Sequence, residues 1–389
     1  MEHRRTTRIV SNGIRARSSW PTTTAIPISN RAVERVTPEF IRRYLRQLGI
    51  TENVLIHEQN YEQFAEEKGL TELGRGGEGT VYFTRGHVVK VVNPESAVGS
   101  LREVAHMLHL NRIVERGAMG ERTRSDWPTL LWVYVLSDGS LSIGMQPFDL
   151  QESVIPGSTL YDRLYCGPRV LRPEVMNMIR NLCKSLIYAH RQGIIHHDLK
   201  PANIYLPSGS PQTPIVFDLG QALWQHPTWG RNWLRHQHNN HYWYNGTYRY
   251  MHHQRRLAHL CALAKSTGQQ PSPQQTAAFA GYCPSYFDDV IAFARILRDV
   301  IKSTHMLLKP NDRVILKKFY QRLMGLRHRG NGTSPARSPD AMDSGILRRL
   351  TLVLRAPITP QHTEPAPKVT SLEQIQPELD KLLDDLLLA

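Results

Sequence analysis

Within Ile195-His196-His197-Asp198-Leu199-Lys200-Pro201-Ala202-Asn203 an acid, a cation and an amide stand at fixed short spacings, in a stretch too polar and Pro-broken for ordinary core. A hydroxyl nucleophile needs a carboxylate near its proton (Asp198), and a migrating phosphoryl group needs a positive charge beside it (Lys200). A metal ion needs a neutral oxygen ligand about one loop turn further on (Asn203). The segment reads as a phosphoryl-transfer loop. A polar loop after a helix would account for Asp198 or Lys200 singly, but not for the set.

Two further stretches fit the same chemistry. Ile204-Tyr205-Leu206 and Ile215-Val216-Phe217 flank a Pro/Ser/Gly turn, so they read as a hairpin that ends in Asp218-Leu219-Gly220. A carboxylate at that strand end can chelate magnesium. Upstream, Gly74-Arg75-Gly76-Gly77-Glu78-Gly79 is a G-x-G-x-x-G whose glycines would let backbone amides approach phosphates. Alone the pattern is weak, because dinucleotide folds and plain turns share it. Here it is followed by strand residues, Thr80-Val81-Tyr82-Phe83 and then Val88-Val89-Lys90-Val91-Val92, where a dinucleotide site would open a helix.

Taken in order, these motifs resemble those of eukaryotic-type serine/threonine protein kinases, whose catalytic loop is usually His-Arg-Asp-x-Lys-Pro-x-Asn. His197 replaces the Arg, and Lys200-Pro201 matches the Ser/Thr subclass. Asp218-Leu219-Gly220 resembles Asp-Phe-Gly. Gly246-Thr247-Tyr248-Arg249-Tyr250-Met251-His252-His253-Gln254 resembles the end of an activation segment, with His-His-Gln for the usual Ala-Pro-Glu. Asp289 resembles the acid at the head of a buried helix that holds the catalytic-loop backbone; a helix N-cap shared with Asp288 is the plainer reading.

The resemblance implies an α+β, two-lobed protein kinase fold. A small antiparallel β-rich lobe near residues 55–146 and a mainly helical lobe from about 150 to 354 would form a domain over 37–354. ATP and magnesium would be used to phosphorylate Ser or Thr of protein substrates. Asp198 would take the hydroxyl proton, Lys200 would stabilise the phosphoryl group, and Asn203 and Asp218 would bind magnesium. Lys90 would pair with Glu103 on the next helix, ahead of Glu95 beside Pro94, and align the nucleotide. Gly74, Arg75, Gly76, Gly77, Glu78 and Gly79 would cover the phosphates. Val81, Val88, Met145 as gatekeeper, and the backbone of Gln146 and Phe148 would border adenine. Thr247 would hydrogen-bond near Asp198 and Lys200.

The departures matter. Gln254 would meet Arg337 through a neutral hydrogen bond, and His197 removes the fixed cation that receives an activation-segment phosphate, so phosphorylation there is not expected to be obligatory. A pseudokinase scaffold that binds nucleotide and partners stays open on His197, Leu219 and Gln254. Small-molecule kinases of the antibiotic or choline type lack Lys-Pro and the Gly-Thr-x-x-Tyr-Met segment. The compact size and substituted signatures also look similar to kinases encoded by large DNA viruses.

The rest of the chain must position these groups. Its 389 residues, 40% hydrophobic, suffice for one large two-lobed domain. A net charge of +14 favours acidic partners, and nucleic acid is not indicated beyond that charge. Residues 1–36 read as a disordered basic arm that could meet an acidic partner. No run approaches the roughly 18 apolar residues of a membrane span, so an intracellular protein, cytoplasmic or nuclear, is expected. Apolar spacing predicts helices over 38–48 and from Pro173 to about Gln192, ending at Gly193, and a hairpin over 130–136 and 141–146. The His-rich stretch 221–245 reads as a surface loop, and 268–275 as an inserted flexible loop. After a Pro-rich linker from 355, Ser371–Leu388 reads as an acidic amphipathic helix that docks on the basic body or on a partner.

Overall fold

Short β-branched runs separated by turns make the first lobe, as their pattern requires. The computed structural model describes residues 36–47, 55–59, 71–75, 79–84, 87–116, 126–137, 139–148, 157–224, 246–282, 284–325 and 371–388. Helix α1 (Pro38–Gln47) is followed by strands β1 (Leu55–Gln59), β2 (Thr71–Arg75), β3 (Gly79–Thr84) and β4 (His87–Val92). Helix α2 (Pro94–Arg116) and the hairpin β5 (Leu130–Leu136) and β6 (Leu141–Met145) complete the lobe.

The sheet order is β1-β5-β6-β4-β3-β2. Strands β2 to β6 pair antiparallel, and β1 adds to the outer edge of β5 in parallel. That edge strand departs from the wholly antiparallel lobe expected, and Leu55-Ile56-His57-Glu58-Gln59 carries too little alternation to announce it. Helix α1 covers the edge: Ile41 and Leu45 join Ile56 in the core, and Arg42 donates to the Ile56 carbonyl.

The second lobe is mainly helical. It runs through β7 (Ser158–Thr159), α3 (Leu160–Tyr165), α4 (Arg172–Arg191), β8 (Ile194–Ile195), β9 (Ile204–Leu206), β10 (Ile215–Val216) and β11 (Leu223–Trp224). Then come α5 (His253–Ser266), α6 (Pro273–Gly281), α7 (Tyr286–Lys302), α8 (Pro310–Gly325) and α9 (Ser371–Leu388). This is the two-lobed protein kinase fold. Helix α4 buries Val175, Met176, Ile179, Leu182, Leu186 and Ile187 on one side, starts with Pro173 in its first turn and stops at Gly193, whose φ of +76° suits a residue without a side chain. Helix α7 is buried nearly all round, its charged Asp288, Asp289, Arg295 and Asp299 included.

Two expectations about the helices meet the structure differently. The flexible loop expected over 268–275 is instead a short turn leading into α6. Ser272 and Gln275 cap that helix reciprocally, by the Ser hydroxyl on the Gln275 N–H (3.2 Å) and the Gln275 side chain on the Ser272 N–H (2.7 Å). Helix α9 packs in cis against α4, with Leu372, Ile375, Leu379, Leu383 and Leu386 buried in the main core. Its acids face arginines: Arg180 meets Asp380 (3.1 Å) and Asp384, Arg191 meets Glu373, and Arg322 of α8 meets Glu378. Five buried aliphatic side chains are worth roughly 1.5–3 kcal/mol each, against at most about 1 kcal/mol for each exposed ion pair. The apolar seam therefore dominates the docking. Pro377 lies on the exposed side and the helix runs through it.

The basic arm before Val36, the His-rich stretch from 225, Arg337 and the Pro-rich linker lie outside the described residues. Among the described residues no helix is long and apolar enough to cross a membrane.

Candidate active site

The loop after β8 is built on one buried acid. Asp289, near the start of α7, accepts the backbone N–H of His196 at 2.7 Å and of His197 at 2.9 Å, and its Oδ2 lies 3.0 Å from His190 Nε2 at the end of α4. Asp288 takes the capping role instead, accepting the Ser285 N–H at 2.9 Å. The two adjacent acids thus divide the two readings offered by the sequence.

Held in this way, the loop turns through His197 in the left-handed region, φ +67°. That conformation is costly for a side chain and survives only where the surroundings fix it. The His197 ring is fully enclosed. Its Nδ1 lies 3.1 Å from Arg255 Nη2 on α5, and its Nε2 lies 2.8 Å from the Tyr282 hydroxyl. A guanidinium can only donate, so Nδ1 is the bare nitrogen and Nε2 carries the proton. Tyr282 passes its own proton toward Asp288 at 3.0 Å, and Asp288 also faces His252 at 3.2 Å. Burial, then the Arg255 charge, push the His197 pKa well below its ordinary value, so the ring is neutral. Burial alone would raise the Asp288 pKa; hydrogen bonding and charge from His252 and the Arg255 charge hold it well below the carboxylate range.

Asp198 emerges two residues after His196. Its carboxylate accepts Lys200 Nζ at 2.7 Å on one oxygen and the backbone N–H of Thr247 at 2.6 Å on the other. The Thr247 contact expected from the sequence comes from its backbone. Asn203, at the end of the 3-10 turn Pro201–Asn203, spends its amide N–H₂ on the Asp198 carbonyl at 3.0 Å.

The neighbouring strands bring in Asp218. Val216 pairs with Ile204, and the Phe217 N–H reaches the Asn203 carbonyl at 3.0 Å, so Asp218 follows immediately beside Asn203. Asp218 is the second left-handed residue, φ +63°. Lys90 Nζ, on the apolar strand β4, bonds Glu103 of α2 at 2.6 Å and lies 3.8 Å from Asp218. Burial works to raise the Asp218 pKa, and the Lys90 and Lys200 charges overcome it and hold the carboxyl below its ordinary value. Leu219 fills an apolar slot, fully buried, and α2 packs on the turn Leu219–Gln221. β11 then pairs with β8, tying the chain beyond Asp218 back to the loop.

The remaining site residues are placed unevenly. Gly76, Gly77 and Glu78 lie outside the described residues. A Cβ at Gly74 would meet nothing within 4 Å, whereas one at Gly79 would stand 2.1 Å from the Val91 carbonyl oxygen. Gly79 is therefore required by the β3–β4 pairing itself. Arg75 reaches Glu72 at 3.1 Å on the exposed strand β2. Val81 pairs with Lys90, and Val88 with Met145, which is buried. The Gln146 N–H is taken by the Thr129 carbonyl at 2.9 Å. Phe148 lays its ring 5.2 Å from Tyr205 and 5.6 Å from Phe217. Sequence reading treated Tyr205 and Phe217 as strand residues only, although their places, two after Asn203 and one before Asp218, put them at the mouth of the site. Arg255, Tyr282 and His190 were not foreseen, since nothing in spacing shows which side chains turn inward.

Buried histidines make stability fall on acidification. His106 on α2 is 1% exposed, with its ring 4.5 Å from Trp224, and burial, then the Arg102 charge, lower its pKa to about 3. The unfolded chain binds a proton near pH 6.5 that this folded ring refuses. The stabilisation is complete above pH ~6.5 and is lost as pH falls, at about 1.4 kcal/mol per pH unit. Urea unfolding at pH 7.5 and 5.5 should show a drop that is smaller, by about that amount, in His106→Met.

The fold is that of the protein kinase superfamily, and the comparisons with known proteins support that superfamily. No family model matches the chain. It is similar to a Streptomyces coelicolor protein named as a probable serine/threonine-protein kinase, 29% identical over 152 residues, 39% of this chain and 22% of the relative. It is also similar to the serine/threonine-protein kinase PknB of Mycobacterium leprae, 27% identical over 157 residues, 39% of this chain and 24% of the relative. Ribosomal protein S6 kinase 2 alpha of Gallus gallus is 32% identical over 75 residues, 19% of this chain and 10% of the relative. The chain spans a quarter or less of the length of these curated relatives (22%, 24% and 10%).

Proposed function

We propose that this chain transfers the γ-phosphoryl group of ATP to Ser or Thr hydroxyls of protein substrates. The observation that carries the reading is Lys90, which bridges Glu103 (2.6 Å) and Asp218 (3.8 Å) while Asp198 is held by Lys200 and Thr247. These contacts support the reading because they bring the expected nucleotide-aligning and proton-accepting groups into one neighbourhood.

Asp198 orients the acceptor hydroxyl and takes its proton; Lys200, already against that carboxylate, is placed to follow charge onto the migrating phosphoryl group. Lys90, fixed by Glu103, pairs the α- and β-phosphates. Val81 and Val88 above and Tyr205 below border the purine, with Met145, Gln146 and Phe148 along its edge. The donor set suits magnesium: Asn203 uses its N–H₂ on the loop, which leaves its carbonyl oxygen, and Asp218 is held ionised. Two oxygen donors match an ion that keeps waters and phosphate oxygens for the rest of its shell. When bound it supplies positive charge that neutralises the phosphates. Neutral His197 offers an activation-segment phosphate no cation, so activity is expected without one.

Labelled ATP and magnesium with a mixed protein substrate, followed by phosphoamino-acid separation, test the reading. Label on Ser and Thr supports it. No transfer from folded protein that binds ATP would overturn it in favour of a nucleotide-binding scaffold.

A further inference from the structure

The residue that grips Asp198 opens onto a concentrated positive field. After Thr247 the chain continues through Tyr248, 46% exposed, and Arg249, whose side chain is 39% exposed. Four guanidinium groups, those of Arg249, Arg256, Arg295 and Arg298, gather around this stretch and Asp299. Arg249 and Arg298 both bond Oδ1 of Asp299, at 2.8 and 3.2 Å. Arg256 of α5 donates to the Tyr248 and Arg249 carbonyls, each at 2.9 Å, and lies 4.8 Å from the centre of the Tyr248 ring. Arg295 of α7 donates to the Arg249 carbonyl as well.

The acid within this group is Asp299, and its second oxygen accepts the Tyr250 hydroxyl at 2.9 Å. Asp299 thus pairs with Arg249 and Arg298, while Arg256 and Arg295 are held by backbone carbonyls. Arg256 shows the strain: burial, and in smaller part the Arg298 charge, lower its pKa. Arg295 is buried, whereas Arg249, Arg256 and Arg298 are part-exposed; like charges packed this closely are relieved by an anion, and part-exposed guanidinium groups are suited to carboxylate or phosphoryl oxygens.

We propose that this arginine cradle binds an anionic side chain of the protein substrate, so that the acceptor Ser or Thr is chosen by acidic or phosphorylated residues near it. This rests on the kinase reading above. Arg249 stands two residues from Thr247, at most about 7 Å of chain, and an extended peptide advances about 3.3 Å per residue. The selected anion therefore lies within about four residues of the acceptor. One charge-assisted contact corresponds to about tenfold in affinity.

The test uses single-Ser peptides that differ only in their flanks: Glu, phosphoserine, Gln or Arg, on either side of the acceptor. Full-length protein should phosphorylate the Glu or phosphoserine peptides with kcat/KM about tenfold above the Gln peptide, and the Arg peptide least. Comparing the two anionic peptides separates carboxylate from phosphoryl preference. In Arg298→Gln the ratio of anionic to neutral peptide should move toward one, and added NaCl should shrink it in the wild type. A flat series, or a uniform loss on every peptide in the variant, would overturn the cradle. Fluorescence anisotropy with the same tagged peptides keeps the two readings apart. Tighter binding of anionic peptides without any transfer would support the cradle and remove only the kinase reading, whereas equal binding of all peptides overturns the cradle itself.

Discussion

Asp198→Asn is expected to lower peptide phosphorylation by about a thousandfold, within the range for loss of a positioned general base, with ATP binding retained. The geometry gives two reasons. The amide has no basic oxygen for the acceptor proton. In addition, one Asp198 oxygen accepts Thr247 N–H and the other accepts Lys200 Nζ, at 2.6 and 2.7 Å, so an amide N–H₂ must face one donor or the other. If the carbonyl stays with Thr247, the Lys200 ammonium meets an N–H₂ group and moves off. On the proposed reading, nucleotide alignment does not pass through this residue, because Lys90 is set by Glu103 and Asp218. Rates at saturating ATP, together with calorimetric ATP binding, check both parts. A loss below tenfold would remove Asp198 from the proton step.

Asp289→Ala is expected to be the most damaging substitution for the fold around the site. It leaves the buried N–H groups of His196 and His197 without their acceptor and takes away the partner of His190. Each orphaned buried group costs about 1–3 kcal/mol, so for three groups a total of roughly 3–9 kcal/mol is expected. The left-handed turn at His197 would no longer be fixed, and Asp198 follows it directly. Urea unfolding should show the stability loss, and the transfer rate per folded molecule should fall with it. Asp289→Asn keeps one carbonyl oxygen and is expected to fall between Ala and wild type. If the rate per folded molecule is unchanged, the role of Asp289 ends with stability.

Local pattern made part of this site legible, and long-range geometry hid the rest. The period of Val175 to Ile187 and the stop at Gly193 placed α4 within a residue of its observed ends. The hairpin that delivers Asp218 and the helix that delivers Glu103 were equally readable, because each is set by neighbours in sequence. Strand β1 was not, since parallel pairing to β5 depends on residues far along the chain. Helix α6 does carry a local signal, because Ser272-Pro273-Gln274-Gln275 is a capping signature, but it follows a Gly- and Gln-rich run that by itself reads as loop. Arg255 carries no local signal, because it turns inward to His197 across 58 residues of sequence. The arginine cradle gathers Arg249, Arg256, Arg295 and Arg298, which no window of sequence shows together.

Helix α9 is fastened by two adhesives that answer solvent in opposite ways. Its rim of Asp380, Asp384, Glu373 and Glu378 on arginines is thinned by dissolved ions, over a screening length of about 8 Å at physiological strength. Its seam of Leu372, Ile375, Leu379, Leu383 and Leu386 is tightened by excluded salts such as sulfate. One face of α4 carries Arg172, Arg180 and Arg191 toward this tail, and the end of the same helix carries His190 onto Asp289. The medium's ionic character is therefore felt at the back of the helix whose front end braces the loop of Asp198.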